Sequence, residues 1–141
     1  MTRLGLLAAA AVMLTGAAAH AEILKFHAAM NGASQVPPVA TPASGAADAT
    51  LDTSSKKLDY SASWQALTGP ATMGHFHGPA AAGANAGVEV AWPSPVASPL
   101  NGTATLTDVQ ITELKAGQWY ANVHTAEHPG GEIRGQMLPV Q

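Results

Sequence analysis

Apolar and polar residues alternate with a period of two along most of this chain, the mark of strands with one buried face. In Ile23–Met30, Leu24, Phe26, Ala28 and Met30 share one face, and Ile23, Lys25, His27 and Ala29 share the other. This predicts a half-buried strand with His27 on the surface. Gly45–Asp52 and Lys57–Leu67 alternate in the same way and are joined by Thr53-Ser54-Ser55-Lys56. Leu58, Tyr60, Ala62, Trp64 and Ala66 fall on one face of the second run, so the pair predicts a hairpin. Further short strands are expected at Ala71–His77, at Gly87–Trp92 with Val88, Val90 and Trp92 on one face, at Leu100–Leu106, at Trp119–Thr125 and at Glu132–Val140.

Two segments depart from this period. Asn31–Ser44 carries three prolines, and a Pro-Pro pair donates nothing to a ladder, so an extended arm or edge connection is expected. In Thr107–Gly117 the spacing turns helical: Thr107 is placed to cap, Gln110 follows three residues on, and Gly117 stands as a stop. About eight short strands with Gly/Pro punctuation and one short helix predict an all-β domain, an antiparallel β-sandwich or Greek-key barrel.

The first 21 residues stand outside this pattern. One positive charge at Arg3 precedes an apolar run from Leu4 to Leu14, and the segment ends in Ala19-His20-Ala21. That is the layout of a signal peptide, with an apolar run shorter than the roughly 20 residues a bilayer span needs. The expectation is a leader over residues 1–21, a single domain over residues 22–141, export to the periplasm or beyond, and no membrane span in the mature chain. Composition narrows the chemistry. A formal charge of −3 gives no basic footprint for nucleic acid. The absence of cysteine removes disulfides, thiolate metal sites and cysteine nucleophiles.

Imidazole is the clustered functional group that is left. His75 and His77 lie two apart in MGHFHGP, and His124 and His128 lie in NVHTAEHPGG. On a strand, residues two apart point to the same face. His124, on the expected Trp119–Thr125 strand, would supply a third nitrogen, with Tyr120 and Asn122 beside it and Trp119, Ala121 and Val123 facing the core. Neutral imidazoles suit zinc, copper, iron or nickel, and because exported proteins often meet copper and zinc, those two are expected first. The candidate ligands are His75, His77, His124 and His128, the last as a fourth ligand or gate. The competing reading is a set of structural histidines bonded to backbone carbonyls near turns. Asn122, Glu132 and Arg134 are candidates for orienting the imidazoles by hydrogen bonds. For Glu132 and Arg134 a cross-strand ion pair or a solvated face competes with that role.

Three segments, NGASQVPPVATPASGAADATLD, LTGPATMGHFHGPA and LKAGQWYANVHTAEHPGGEIRGQM, resemble the CHRD (chordin-type) domain family, including its single-domain exported bacterial members. The matching motif positions include His75, His77, Asn122, His124, Thr125, His128, Glu132, Arg134 and Gln136. The resemblance implies an all-β, immunoglobulin-like or barrel fold. In animal members the domain accompanies cysteine-rich modules that bind growth factors, and a cysteine-free chain lacks those modules.

Two functions follow: an exported domain binding copper or zinc through its histidines, or a metal-free interaction or structural module of the cell envelope. An enzyme is not expected. A superoxide-dismutase analogue would share the His-x-His strand pair, but the cysteine for a structural disulfide is missing.

Overall fold

A computed structural model describes residues 20–141, so the expected leader lies outside the described residues except for its last two positions. Nine strands and one helix follow in chain order: β1 (Ile23–Asn31), β2 (Ser44–Asp52), β3 (Lys57–Gln65), β4 (Ala71–His77), β5 (Val88–Ala91), β6 (Leu100–Thr105), α1 (Asp108–Lys115), β7 (Tyr120–Thr125), β8 (Ile133–Gln136) and β9 (Leu138–Val140). The strands pair in the order β5-β4-β7-β8-β1-β2-β3-β6, with β9 beside β1. All the pairings are antiparallel.

The sheet closes on itself through aromatic packing. Tyr60 on β3 meets Phe76 on β4 edge-to-face at 5.1 Å, and Trp64 at the end of β3 stacks on Trp92 just beyond β5 at 6.2 Å. The inward sides of both halves thus form one core, which includes Phe26, Met30, Leu51, Leu58, Phe76, Trp119, Val123 and Ile133. Each large apolar side chain fully removed from water contributes about 1.5–3 kcal/mol. The expected all-β antiparallel sandwich or barrel with one short helix is the fold observed, as a nearly closed barrel or sandwich.

Local expectations hold where the pattern was regular. Phe26, Ala28 and Met30 are buried and His27 is exposed, with its ring 2.8 Å from Asp48. The β2–β3 hairpin runs in unbroken register from Asp52↔Lys57 to Ser44↔Gln65. Thr107 caps α1 in a full capping box with Gln110, and Gly117 ends the helix with φ of +70°.

Three details differ from the sequence reading. The strand from Lys57 stops at Gln65, because Ala66 takes a positive φ of 59°, which breaks the extended run. The face expected to hold Val88, Val90 and Trp92 is broken by a bulge: His77 pairs Val88 while the adjacent Phe76 pairs Val90. Val88 is therefore turned outward and exposed. Glu132–Val140 is two strands rather than one. The Met137 amide donates to the Trp119 carbonyl at 2.9 Å, the last bond in the β7–β8 register, and the chain then crosses to pair Leu138 with His27 on β1.

Candidate metal centre

Strands β4, β7 and β8 lie side by side, and their alternation sends one set of residues to the face away from the core. In the β4–β7 ladder Met73 is opposite His124, His75 opposite Asn122 and His77 opposite Tyr120. In the β7–β8 ladder Asn122 is opposite Arg134 and Tyr120 opposite Gln136. A polar outer face would ordinarily be wet, yet all six residues of β7 are buried. The loop after β4 covers it: Arg134 donates to the Ala84 carbonyl at 3.0 Å and to Asn85 Oδ1 at 2.6 Å. The proline-rich arm after β1 covers the rest through Gln35, which accepts from Arg134 Nε at 3.1 Å and donates to Asn122 Oδ1 at 2.7 Å.

Under that cover His75, His77 and His124 converge, each offering a nitrogen within 4.8 Å of the others. His124 Nδ1 lies 2.9 Å from the Pro129 carbonyl. A carbonyl only accepts, so Nδ1 carries the proton and Nε2 of the neutral ring a lone pair. That Nε2 is 3.1 Å from His75 Nδ1, close to the roughly 3.3 Å that separates two nitrogens bound about 2.0–2.1 Å from one tetrahedral ion. His77 Nδ1 donates to the Ala86 carbonyl at 3.0 Å, so its lone pair also resides on Nε2. That atom is buried and has no hydrogen-bond partner, a state that costs on the order of 1–3 kcal/mol.

The site keeps its imidazoles neutral, the form that ligates. Burial, reinforced by His124 and His77, pushes His75 down from 6.5 to about 4. Burial lowers His77 as well, with His124 and Arg134 adding to the effect against the bond to Ala86. His124 is lowered by burial and then by Arg134, against the bond to Pro129.

The two readings of the histidines therefore coexist. Two rings bond backbone carbonyls near turns, and those bonds aim the remaining nitrogens at each other. His128 is not part of the converging group. It sits in the turn between β7 and β8, where its carbonyl accepts from Thr125 and Gly131, so the turn that shapes Pro129 holds it aside.

Asn122, Glu132 and Arg134 do not bond an imidazole, in contrast to the expectation. Two act at one remove. Arg134 grips Ala84 and Asn85, next to the Ala86 carbonyl that orients His77. Asn122 donates to the Gly130 carbonyl at 3.4 Å, next to the Pro129 carbonyl that orients His124. Gly131, with φ of +116°, packs so closely on Asn122 that a Cβ there would collide with it.

Glu132 belongs elsewhere, and it is neither in an ion pair nor solvated. It is fully buried and accepts from Thr41 at 2.7 Å, from the Thr68 hydroxyl at 2.8 Å and from Thr125 at 2.9 Å. Burial works against its charge, but these hydrogen bonds win and hold its carboxyl below the usual range.

Sequence reasoning missed Gln35, which lies in an arm without periodicity, and the backbone carbonyls of Ala86 and Pro129, which no side-chain pattern reports. Alternation puts Tyr120 on the histidine face, but its role there depends on a loop that the pattern does not report. Its hydroxyl donates to the Ala86 carbonyl at 3.2 Å and accepts from the Ala86 amide at 3.1 Å. Arg134 lies over its ring at 4.0 Å.

A family model described as the CHRD domain matches residues 26–137. No curated protein and no solved structure matches significantly. The matched stretch runs from the buried Phe26 of β1 to Met137 after β8 and takes in the three converging histidines and the residues that cover them; the chain belongs to the CHRD-domain family.

Proposed function

We propose that this domain binds one transition-metal ion, copper or zinc, through His75, His77 and His124. The observation that carries the reading is the buried, unpartnered Nε2 of His77, in a group of three imidazoles. Burial of a lone pair without a donor is a cost that a metal ion removes, and the carbonyl bonds of His77 and His124 orient the rings as outer partners of ligating histidines do. The fourth position is left to water or another side chain, as in open sites.

The protein is proposed to be exported, periplasmic or secreted, after removal of residues 1–21. No helix among the described residues is long and apolar enough to cross a membrane. It is read as a binding protein rather than an enzyme, so copper-loaded protein is expected to dismutate superoxide no faster than free ion.

Metal analysis and calorimetric titration of residues 22–141 with copper and with zinc test the reading. One ion per chain is expected for at least one metal. A His75→Ala/His77→Ala/His124→Ala variant that folds is expected to lose that binding, and unchanged binding overturns the assignment.

A second reading, a metal-free interaction module of the cell envelope, is favoured by one observation. Ile23 and Val140 are exposed along β1 and β9 and, with Leu24, Phe26 and Pro139, line a groove flanked by Lys25 and Lys115. An envelope partner retained in the presence of chelator and by the triple variant would favour this reading over the first.

A further inference from the structure

Met73 stands beside the histidine group and has no role in the core. It is directly opposite His124 in the β4–β7 ladder and two residues from His75 on the same strand, so all three share the outer face. Cβ atoms of directly opposite residues lie about 4.5–5.5 Å apart, and an unbranched thioether with three rotatable bonds spans such a gap. The register is continuous from Met73 to His77 in this ladder, and the irregularity falls before Met73. Met73 is also 45% exposed, so its thioether is not committed to packing in the core.

Charge points the same way. The group of converging ligands contains no carboxylate, and a thioether adds none. The nearby formal charge is the Arg134 guanidinium, whose partners Gln35, Ala84 and Asn85 are all neutral. Glu132 is engaged by Thr41, Thr68 and Thr125, and Glu127, three residues after His124, is exposed and outside the converging group. A partly buried site with uncharged ligands and a cation beside it accepts a monovalent ion at lower electrostatic cost than a divalent one, since the repulsion scales with the ion's charge. Soft thioether and imidazole nitrogen together are a ligand set for copper in its reduced state.

We infer that the site holds Cu(I), with the Met73 sulfur joining His75, His77 and His124 as fourth ligand. This rests on the histidine site proposed above and names its metal. Because Met73 is exposed, its end of the site is open to solvent, and the sulfur is the ligand an incoming ion meets first.

The test uses Cu(I) kept reduced under anaerobic conditions, titrated into residues 22–141 against a chromogenic Cu(I) chelator, with Zn(II) titrated in parallel. Met73→Leu keeps the size and apolar character of an exposed side chain, so the fold is not at stake. Cu(I) affinity is expected to fall by at least about tenfold, the lower end of what disturbing even an outer partner of a metal ligand costs, while Zn(II) affinity stays unchanged. X-ray absorption of the Cu(I) protein is expected to show one sulfur scatterer that Met73→Leu removes. Copper binding that is equal in wild type and Met73→Leu, with nitrogen scatterers alone, overturns the inference and leaves the histidine site standing. Equal weakening of Cu(I) and Zn(II) also overturns it, since the sulfur would then not select the metal. Failure of the wild-type chain to bind either metal removes the histidine site itself.

Discussion

His77 and Tyr120 lie ring on ring across the β4–β7 ladder, parallel and with centroids 4.9 Å apart, and both reach the same acceptor, the Ala86 carbonyl. The contact joins three levels of the molecule. Strand register sets the two rings opposite each other, stacking fixes the plane of the imidazole, and the shared carbonyl fixes which nitrogen carries the proton. Arg134 over the same tyrosine ring pins the Ala84–Asn85 part of the loop. The unpartnered Nε2 of His77 is thus positioned by the stacked tyrosine and by a loop that Arg134 holds in place.

Tyr120→Phe tests that chain of support. The ring and its stacking remain, and the hydroxyl bonds to Ala86 are lost. Such a bond contributes about 0.5–1.5 kcal/mol, so the domain should stay folded with a modest drop in unfolding free energy. Metal affinity should fall by about 10–100-fold, the cost of loosening an outer partner of a ligating histidine. Calorimetric titration and urea denaturation of the same preparation read both quantities. Undiminished metal affinity would show that the Ala86 carbonyl orients His77 without the tyrosine.

Glu132→Gln separates architecture from the metal site. The carboxylate gathers Thr41 of the arm, Thr68 before β4 and Thr125 at the end of β7, and also accepts from the Thr68 amide at 3.0 Å. A side-chain amide presents two hydrogens where donors already point, so at least one bond to a charged acceptor is lost in a fully buried place. The expected cost is about 1.5–3 kcal/mol of unfolding free energy, with metal affinity of the folded protein unchanged. A stability change within about 0.5 kcal/mol, the range of an innocuous surface substitution, would contradict the role assigned to Glu132.

Acid should destabilise the metal-free protein in a defined window. The unfolded chain takes up a proton on His75 near 6.5, whereas the folded chain does so only near about 4. Between those values the unfolded state binds more protons, so unfolding free energy falls as pH falls. The slope approaches about 1.4 kcal/mol per pH unit for each proton difference. His77 and His124 are displaced in the same direction. Glu132, held below its ordinary 4.5, contributes stability above that value and loses it as pH drops further. Denaturation series on wild type and the triple histidine variant should diverge in slope between pH 6.5 and about 4. Parallel curves would mean that the histidines titrate normally.

How far the site could be read from the sequence depends on which force placed each residue. Alternation is local, so it set His75, His77 and His124 on one face, with Phe76 and Val123 opposite. The capping box at Thr107 and Gln110 is equally local and forms as its spacing predicts. The cover over the site comes from long-range packing and leaves no periodic trace. Gln35 reaches Arg134 across 99 positions of chain, and Glu132 finds Thr41 across 91. His128 is near His124 in sequence, but a turn intervenes, and it is the backbone of His128 that bonds Thr125 and Gly131 there. The division of the last segment at Met137 likewise depends on a distant strand, since Leu138 leaves β7 to pair with His27 on β1.

Metal should stabilise the fold and do so only through the three histidines. An ion that binds the folded chain and not the unfolded one adds RT ln(1 + [L]/Kd), about 2.7 kcal/mol at a hundredfold excess over Kd. For a domain of this size each kcal/mol moves the midpoint by roughly 2–8 °C, so saturating Cu(I) should raise the thermal midpoint by several degrees or more. Chelator should return it to the metal-free value. The His75→Ala/His77→Ala/His124→Ala variant should show no such shift, although losing the unpartnered Nε2 of His77 relieves one cost and offsets part of the packing it forfeits. Met73→Leu should retain a smaller shift with Cu(I) and the full shift with Zn(II). Scanning calorimetry of the three proteins, with and without each ion, compares these outcomes. An equal rise in the triple variant would place the metal at another group and remove the link between the clustered imidazoles and stability.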